Sequence, residues 1–132
     1  MSTEIESFLE SGPFAVVGAS TDRSKYGNKV FRCYLQNERE PVWPVNPRAS
    51  EVEGHPAFAS LADLPEVPRS VSLITPPAVT ERVVEEAIRL GVRHLWMQPG
   101  AESEAAIEAA RAAGLGVVAN GPCLLVILGY RE

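Results

Sequence analysis

Short apolar runs alternate along the chain with longer stretches in which apolar residues recur every three or four positions. Phe14-Ala15-Val16-Val17, Val42-Trp43-Pro44-Val45, Val71-Ser72-Leu73-Ile74, His94-Leu95-Trp96-Met97 and Leu115 to Ala119 are too short for helices. They are rich in β-branched or aromatic residues and bounded by glycine or proline, so they predict five strands. The spacing of Val30, Phe31, Tyr34 and Leu35 predicts a helix over 26–38. That of Val79, Val83, Val84, Ala87, Ile88 and Leu90 predicts one over 78–90, with Gly91 at its C-cap. Ser103 is placed to cap an alanine-rich helix that runs to Ala113. Ser2-Thr3 followed by Glu6 has the form of a capping box, and Ile5, Phe8 and Leu9 share one helical face. A short helix over 2–11, packed on the edge of the main body, is expected there. Residues 49–69 are broken by Gly54, Pro56, Pro65 and Pro68, with Leu61 to Leu64 forming at most one helical turn. A last apolar segment runs from Cys123 to Leu128.

Strands separated by helices imply an α/β fold with a parallel sheet and helices on both faces. Right-handed crossovers favour a Rossmann-like, doubly wound, five-stranded sheet, for which the order 3-2-1-4-5 is expected. Pro44 cannot donate to a ladder, so it should sit where no donor is needed. Residues 1–132 suit a single domain of this kind.

Composition narrows the function classes. The chain is 45% hydrophobic and 22% charged, enough for a real core. Its net charge of −5 argues against a general nucleic-acid binder, while leaving room for a local basic pocket. No apolar run approaches the roughly 20 residues that span a bilayer, and the acidic N-terminus lacks the basic and apolar regions of a signal peptide. A cytoplasmic protein without membrane or nucleic-acid partners is expected. Cys33 and Cys123 have neither metal-ligand nor redox spacing.

In doubly wound sheets, ligands bind beyond the C-terminal ends of the strands. Here those ends read Gly18-Ala19-Ser20, Asn46-Pro47-Arg48, Thr75-Pro76-Pro77, Gln98-Pro99-Gly100 and Asn120-Gly121-Pro122-Cys123. The connections at the opposite ends are plain glycine or charged turns, so the asymmetry points to one functional rim. The first of these ends leads through a small, basic loop containing Arg23 and Lys25 into a helix start at Tyr26-Gly27-Asn28. Strand, small-residue turn and helix is an arrangement suited to phosphate, because the unpaired N–H groups and the helix dipole favour anions. It is not a G-x-G-x-x-G fingerprint, since the next glycine after Gly18 comes nine residues later, and it lacks the G-K-[ST] of a P-loop. At the end of the second strand an NAD site would place Asp or Glu. Asn46 and Arg48 instead suit a phosphorylated ribose, as in NADP or coenzyme A. Tyr26 is the aromatic best placed to meet a ligand. Trp43 and Trp96 read as core, His55 and His94 as structural or surface residues, and Cys123 as a buried structural thiol, the alternative being a reactive one.

The segments VGAS…YGN (17–28), WPVNP (43–47), Gly54 to Pro65, ITPP (74–77) and HLWMQPG (94–100) occur in an order and spacing that resemble the stand-alone CoA-binding proteins. Those proteins are similar in fold to the N-terminal domain of the succinyl-CoA synthetase alpha subunit. The resemblance implies that Gly18, Ala19 and Ser20, with Arg23 and Lys25, hold a pyrophosphate. It implies that Asn46, Pro47 and Arg48 lie along the 3′-phosphate and ribose. It further implies that Thr75 and Pro76 flank the adenine or the pantetheine arm, with Gln98 near the arm's end. Family members often carry an acidic residue before the cysteine that matches Cys123; this chain has Asn120-Gly121-Pro122. The phosphohistidine domain of the synthetases has no counterpart within these 132 residues. The expectation is therefore binding of coenzyme A or an acyl-CoA without catalysis. The alternatives are an NADP-dependent reductase and the ligand-binding subunit of a larger ligase-like complex. Self-association and a ligase-like partner chain both remain open as modes of assembly.

Overall fold

The computed structural model describes residues 3–132. In chain order the elements are α1 (Thr3–Leu9), β1 (Phe14–Val17), α2 (Tyr26–Gln36), β2 (Val42–Val45), β3 (Glu51–Val52), β4 (His55–Pro56), β5 (Ser70–Leu73), α3 (Pro77–Leu90), β6 (His94–Met97), α4 (Glu104–Ala112) and β7 (Gly116–Val118). A 3-10 turn covers Leu61–Asp63, and a π-helical turn covers Leu125–Gly129. The expected capping box begins at Ser2, which lies outside the described residues. Ser103 caps α4, its hydroxyl accepting from the Ala106 N–H at 3.3 Å. Gly91 ends α3 in the left-handed region at φ 91°.

The sheet is parallel and five-stranded, as expected, but its order is β2-β1-β5-β6-β7, that is 2-1-3-4-5 in the predicted strands rather than 3-2-1-4-5. The third strand pairs with β1, with Phe14 opposite Ser70 and Val17 opposite Leu73. Proline chemistry gives the reason. Pro44 lies in β2, which among the described strands of the sheet pairs with β1 alone. Its carbonyl points outward and accepts from Phe58 N–H at 3.1 Å, so the donor it lacks would also point outward. A central second strand would need that donor; an edge strand does not. The outer side of β2 is covered instead by the returning chain, through Asn46 N–H to Phe58 C=O at 2.8 Å and a Val45–Phe58 bridge. The segment expected to be irregular contains the small β3–β4 hairpin, with Glu53 and Gly54 at its turn.

Period-two alternation sorts side chains to two faces. Ala15, Val17, Val71, Leu73, Leu95, Met97 and Val117 face α3, α4 and the 3-10 turn. Phe14, Val16, Trp96 and Val118 face α1, α2 and Leu124. Two serines of β5 also face this second side and are fully buried. Each is satisfied: Ser70 Oγ donates to the Ser11 carbonyl at 2.7 Å, and Ser72 Oγ lies 2.7 Å from Tyr34 Oη. The helix α1 packs on this face over β6 and the edge strand β7, with Phe8 set edge-on to Trp96 at 5.4 Å.

Candidate functional site

Because β2 and β5 flank β1, the chain leaves β1 and β5 toward opposite faces of the sheet. Rim loops diverge there, and the crevice between them is where a ligand can enter. Its walls are the 18–25 loop after β1 and the 74–76 loop after β5. The 3-2-1-4-5 order would have put the switch between the first and fourth strands, at Gln98; the observed order shifts it to Thr75.

Two glycines allow the crevice to form. Gly18 has φ +97°, and a Cβ there would lie 2.0 Å from the Ile74 carbonyl oxygen. Gly27 has ordinary backbone angles, but its Cβ would lie 2.0 Å from the Gly18 carbonyl oxygen. The loop thus bulges out after Gly18 and returns, laying the first turn of α2 directly against the end of β1. The pair nine residues apart meets the same demand for close approach that a dinucleotide fingerprint meets with glycines in sequence.

The start of α2 is built to accept negative charge. Its N-cap, Lys25, makes no side-chain cap, and no acidic residue lies in the first turn. The leading N–H groups are therefore left for an external acceptor. Ser20 and Asp22 fold the loop locally: Asp22 N–H donates to Ser20 Oγ at 3.0 Å, and Ser24 donates to Asp22 through N–H at 2.9 Å and Oγ at 2.7 Å. These donations from Ser24 hold the Asp22 carboxyl below its usual range.

Behind the loop lies a buried polar network. Asn28 and Arg32, not singled out as site residues from the sequence, are fully buried and 9% exposed respectively. Asn28 Nδ2 donates to the Ser20 carbonyl at 2.8 Å and to Glu53 Oε2 at 3.1 Å. Arg32 Nε donates to Asn28 Oδ1 at 2.6 Å, and its Nη2 donates to the Arg23 carbonyl at 2.9 Å. Arg23 itself pairs with Glu53 at 3.4 Å while remaining largely exposed. One helical turn separates Asn28 from Arg32, so the helical pattern was the available signal. Glu53 comes from the hairpin, which no periodicity announced.

The second strand's end sits beside this loop. Asn46 Nδ2 donates to the Ala19 carbonyl at 2.8 Å, and Asn46 Oδ1 accepts from Arg48 N–H at 2.7 Å. Pro47 and Arg48 are exposed. On the α3 side, Val17, Gly18, Val45, Pro47, Leu61 and Val79 are among the residues lining an apolar cleft of about 170 Å³. Thr75 also borders it, its hydroxyl 2.6 Å from that of Thr80. Pro76 and Thr75 line a second hollow of about 250 Å³ with Pro99 and Gly100. Leu61 and Val79 were not candidates from the sequence, because their place beside Gly18 depends on the strand order.

The far end of the rim is polar. Tyr26 Oη donates to Gln98 Oε1 at 3.0 Å and lies 2.8 Å from Cys123 Sγ. Gln98 Oε1 also accepts from Leu124 N–H at 2.9 Å. Burial first, then the Cys123 thiol, pushes the Tyr26 phenol well above its ordinary pKa, so it stays protonated. Gln98 is fully buried, and its Nε2 has no partner among the described residues. A buried amide donor left open is costly, by about 1–3 kcal/mol. All twelve predicted site residues therefore fall along this rim. Gly18, Ala19, Ser20, Arg23, Lys25, Asn46, Pro47 and Arg48 cluster at the phosphate-suited loop, Thr75 and Pro76 lie at the middle, and Tyr26 and Gln98 meet at the far end. Among the described residues, no group of three or more His, Cys, Asp or Glu could hold a metal ion, and no helix is long and apolar enough to cross a membrane.

Comparison with known proteins agrees with this geometry. A conserved hypothetical protein of Pyrococcus furiosus has a similar structure, with a TM-score of 0.80 and 38% identity, over 86% of this chain and 97% of that one. A hypothetical protein of Pyrococcus horikoshii superposes with a TM-score of 0.85 and 33% identity, over 93% and 85%. Among curated proteins, an ADP-forming acetate–CoA ligase of Archaeoglobus fulgidus is 32% identical over 97 residues, which is 74% of this chain and 14% of the ligase. The alpha subunit of an ADP-forming acetate–CoA ligase of Pyrococcus furiosus is 32% identical over 82 residues, 61% of this chain and 18% of the subunit. The chain thus spans less than a fifth of the length of either curated relative. A family model described as "CoA binding domain" matches residues 13–129, from just before β1 to the end of the π-helical turn, and so takes in every rim residue above; the chain belongs to that family.

Proposed function

We propose that this chain binds coenzyme A, free or acylated, along the C-terminal rim of its sheet, and that it performs no chemistry on the ligand by itself. One observation carries the reading: the rim offers, in order, three surfaces that match the three parts of that ligand. The uncapped start of α2, with Lys25 and Arg23, suits the pyrophosphate. Asn46, Pro47 and Arg48 suit the 3′-phosphorylated ribose, and the apolar cleft beside Gly18, Pro47 and Leu61 suits a purine ring. The Tyr26–Gln98–Cys123 cluster suits a polar arm ending in sulfur, and the open Nε2 donor of Gln98 suits an amide carbonyl of pantetheine. Family membership supports the choice of ligand. Isothermal titration calorimetry with coenzyme A, NADP and NAD tests it. Micromolar binding of coenzyme A with little for the other two is expected; NADP binding without coenzyme A binding would overturn the reading in favour of a reductase.

A second role is favoured by what the curated relatives are. The curated relatives are much longer ligases, or a ligase subunit, and this chain matches only a small part of each. The rim would then present its ligand to a separate ligase-like chain. Co-purification from native extract in the presence of coenzyme A tests this, and recovery of the chain alone counts against it.

A further inference from the structure

The opposite end of the sheet holds a third cleft. It measures about 400 Å³ and is lined by Ser11, Arg69, Arg93, His94, Gly114 and Gly116, at the N-terminal ends of β5, β6 and β7. None of these residues is acidic, although the chain carries a net charge of −5. Arg69 and Arg93 are held side by side by the ladder, because Arg93 N–H donates to the Arg69 carbonyl at 3.0 Å. Both are exposed, and neither guanidinium has a hydrogen bond or ion pair among the described residues. Like charges on neighbouring strands repel, so this arrangement costs stability unless an anion sits between them. The cleft is shaped by its glycines. A Cβ on Gly116 would lie 2.9 Å from His94 Nδ1, so the imidazole lies over the bare Cα. Gly114 has φ +86°, a conformation that side chains disfavour. Burial, reinforced by the Arg93 charge, lowers the His94 pKa.

We propose that this cleft is a second, separate anion site that takes a phosphate dianion, inorganic or at the end of a small phosphomonoester. Arg69 and Arg93 line it together with His94 and Ser11. Arginine forks match phosphate oxygens in a bidentate manner. The Arg93 charge acts on His94, and Arg69 and Ser11 line the same cleft, so a bound dianion supplies the negative charge that this imidazole otherwise lacks. Binding must therefore raise the His94 pKa and tighten as the ring protonates.

The test is NMR titration of the imidazole protons, with a His55→Gln variant to tell the two histidines apart. Phosphate and glycerol 3-phosphate are each added at constant ionic strength, with chloride as the control. A saturable rise of about one unit in the His94 pKa at millimolar phosphate is expected. Arg69→Gln and Arg93→Gln should each weaken the response about tenfold or more, while Lys at either position should retain part of it. The residues are exposed, and thermal melts confirm that the variants fold. A response to both ligands, or to one of them, upholds the site and identifies its source. No response, an equal response to chloride, or an unchanged response in the Gln variants overturns it; the arginines would then serve only to offset the C-terminal dipoles of α3 and α4. The readout sits at the end of the sheet opposite the proposed coenzyme A rim, so its result is independent of whether coenzyme A binds there.

Discussion

Replacing Gly27 by alanine separates two opposite expectations. Glycine inside a helix costs about 1 kcal/mol relative to alanine, so propensity alone says that Gly27→Ala stabilises α2. The tertiary structure says the reverse. The new Cβ would sit 2.0 Å from the Gly18 carbonyl oxygen, whereas an ordinary contact begins at 3.4 Å. The obstacle is backbone, not the end of a flexible side chain. Gly18 cannot easily give way, because its own Cα packs against the Ile74 carbonyl. Either the helix start or the loop must move by more than an ångström. Overpacking of this kind costs about 1–3 kcal/mol. At about 4 °C per kcal/mol for a chain of this size, the melting temperature should fall by about 4–12 °C. The same movement displaces the N–H groups at the start of α2, so coenzyme A affinity should drop at least tenfold, about the worth of one charge-assisted hydrogen bond. Differential scanning calorimetry and isothermal titration read the two effects on one sample. An unchanged or raised melting temperature with full affinity would refute the close approach of Gly18 and Gly27 as the basis of the site.

Three further outcomes follow from the same geometry. Arg48→Glu reverses an exposed charge beside the proposed 3′-phosphate, so it should weaken coenzyme A by about tenfold to a hundredfold at low salt but leave dephospho-coenzyme A nearly unaffected; equal losses in calorimetry would place the 3′-phosphate elsewhere. Asn28→Ala removes the bridge from Ser20 to Glu53 and strips the Arg32 guanidinium of a partner, at a cost of about 2–4 kcal/mol in urea unfolding; a smaller effect would mean that the network is not what fixes the loop. Burial, with the Cys123 charge adding to it, raises the Cys33 pKa to about 11, so native protein near pH 8 should show one thiol, Cys123, reacting with a colourless-to-coloured disulfide reagent, and two after unfolding; rapid reaction of both in the native state would contradict the packing of α2.

Much of this protein was legible in local patterns. Five apolar runs separated by amphipathic segments predicted a parallel sheet with helices on both faces, because strand and helix periods are imposed residue by residue. Gly91 and Ser103 marked helix ends through their own backbone and hydroxyl chemistry. The residues that end each strand pointed to the rim, since every parallel strand carries its C-terminal end to the same side. Strand order was a different matter. It depends on which strand tolerates an open edge and on how a crossover without a regular helix is routed. Pro44 held the relevant clue, but it acts only through a neighbour that sequence does not specify. The same holds for the contacts that give the rim its shape. Leu61 reaches the apolar cleft, Glu53 reaches Asn28, and Cys123 reaches Tyr26, each across a long stretch of chain whose path is set by packing. The cleft of Arg69, Arg93 and His94 likewise arises only when β5 and β6 lie in register. The sequence by itself determined the five main strands, the helices between them, their direction and the side of the sheet that carries the small and polar rim residues, because those follow from short-range periodicity and backbone chemistry. Only the tertiary structure decided which strands are neighbours, and therefore which distant side chains share one site.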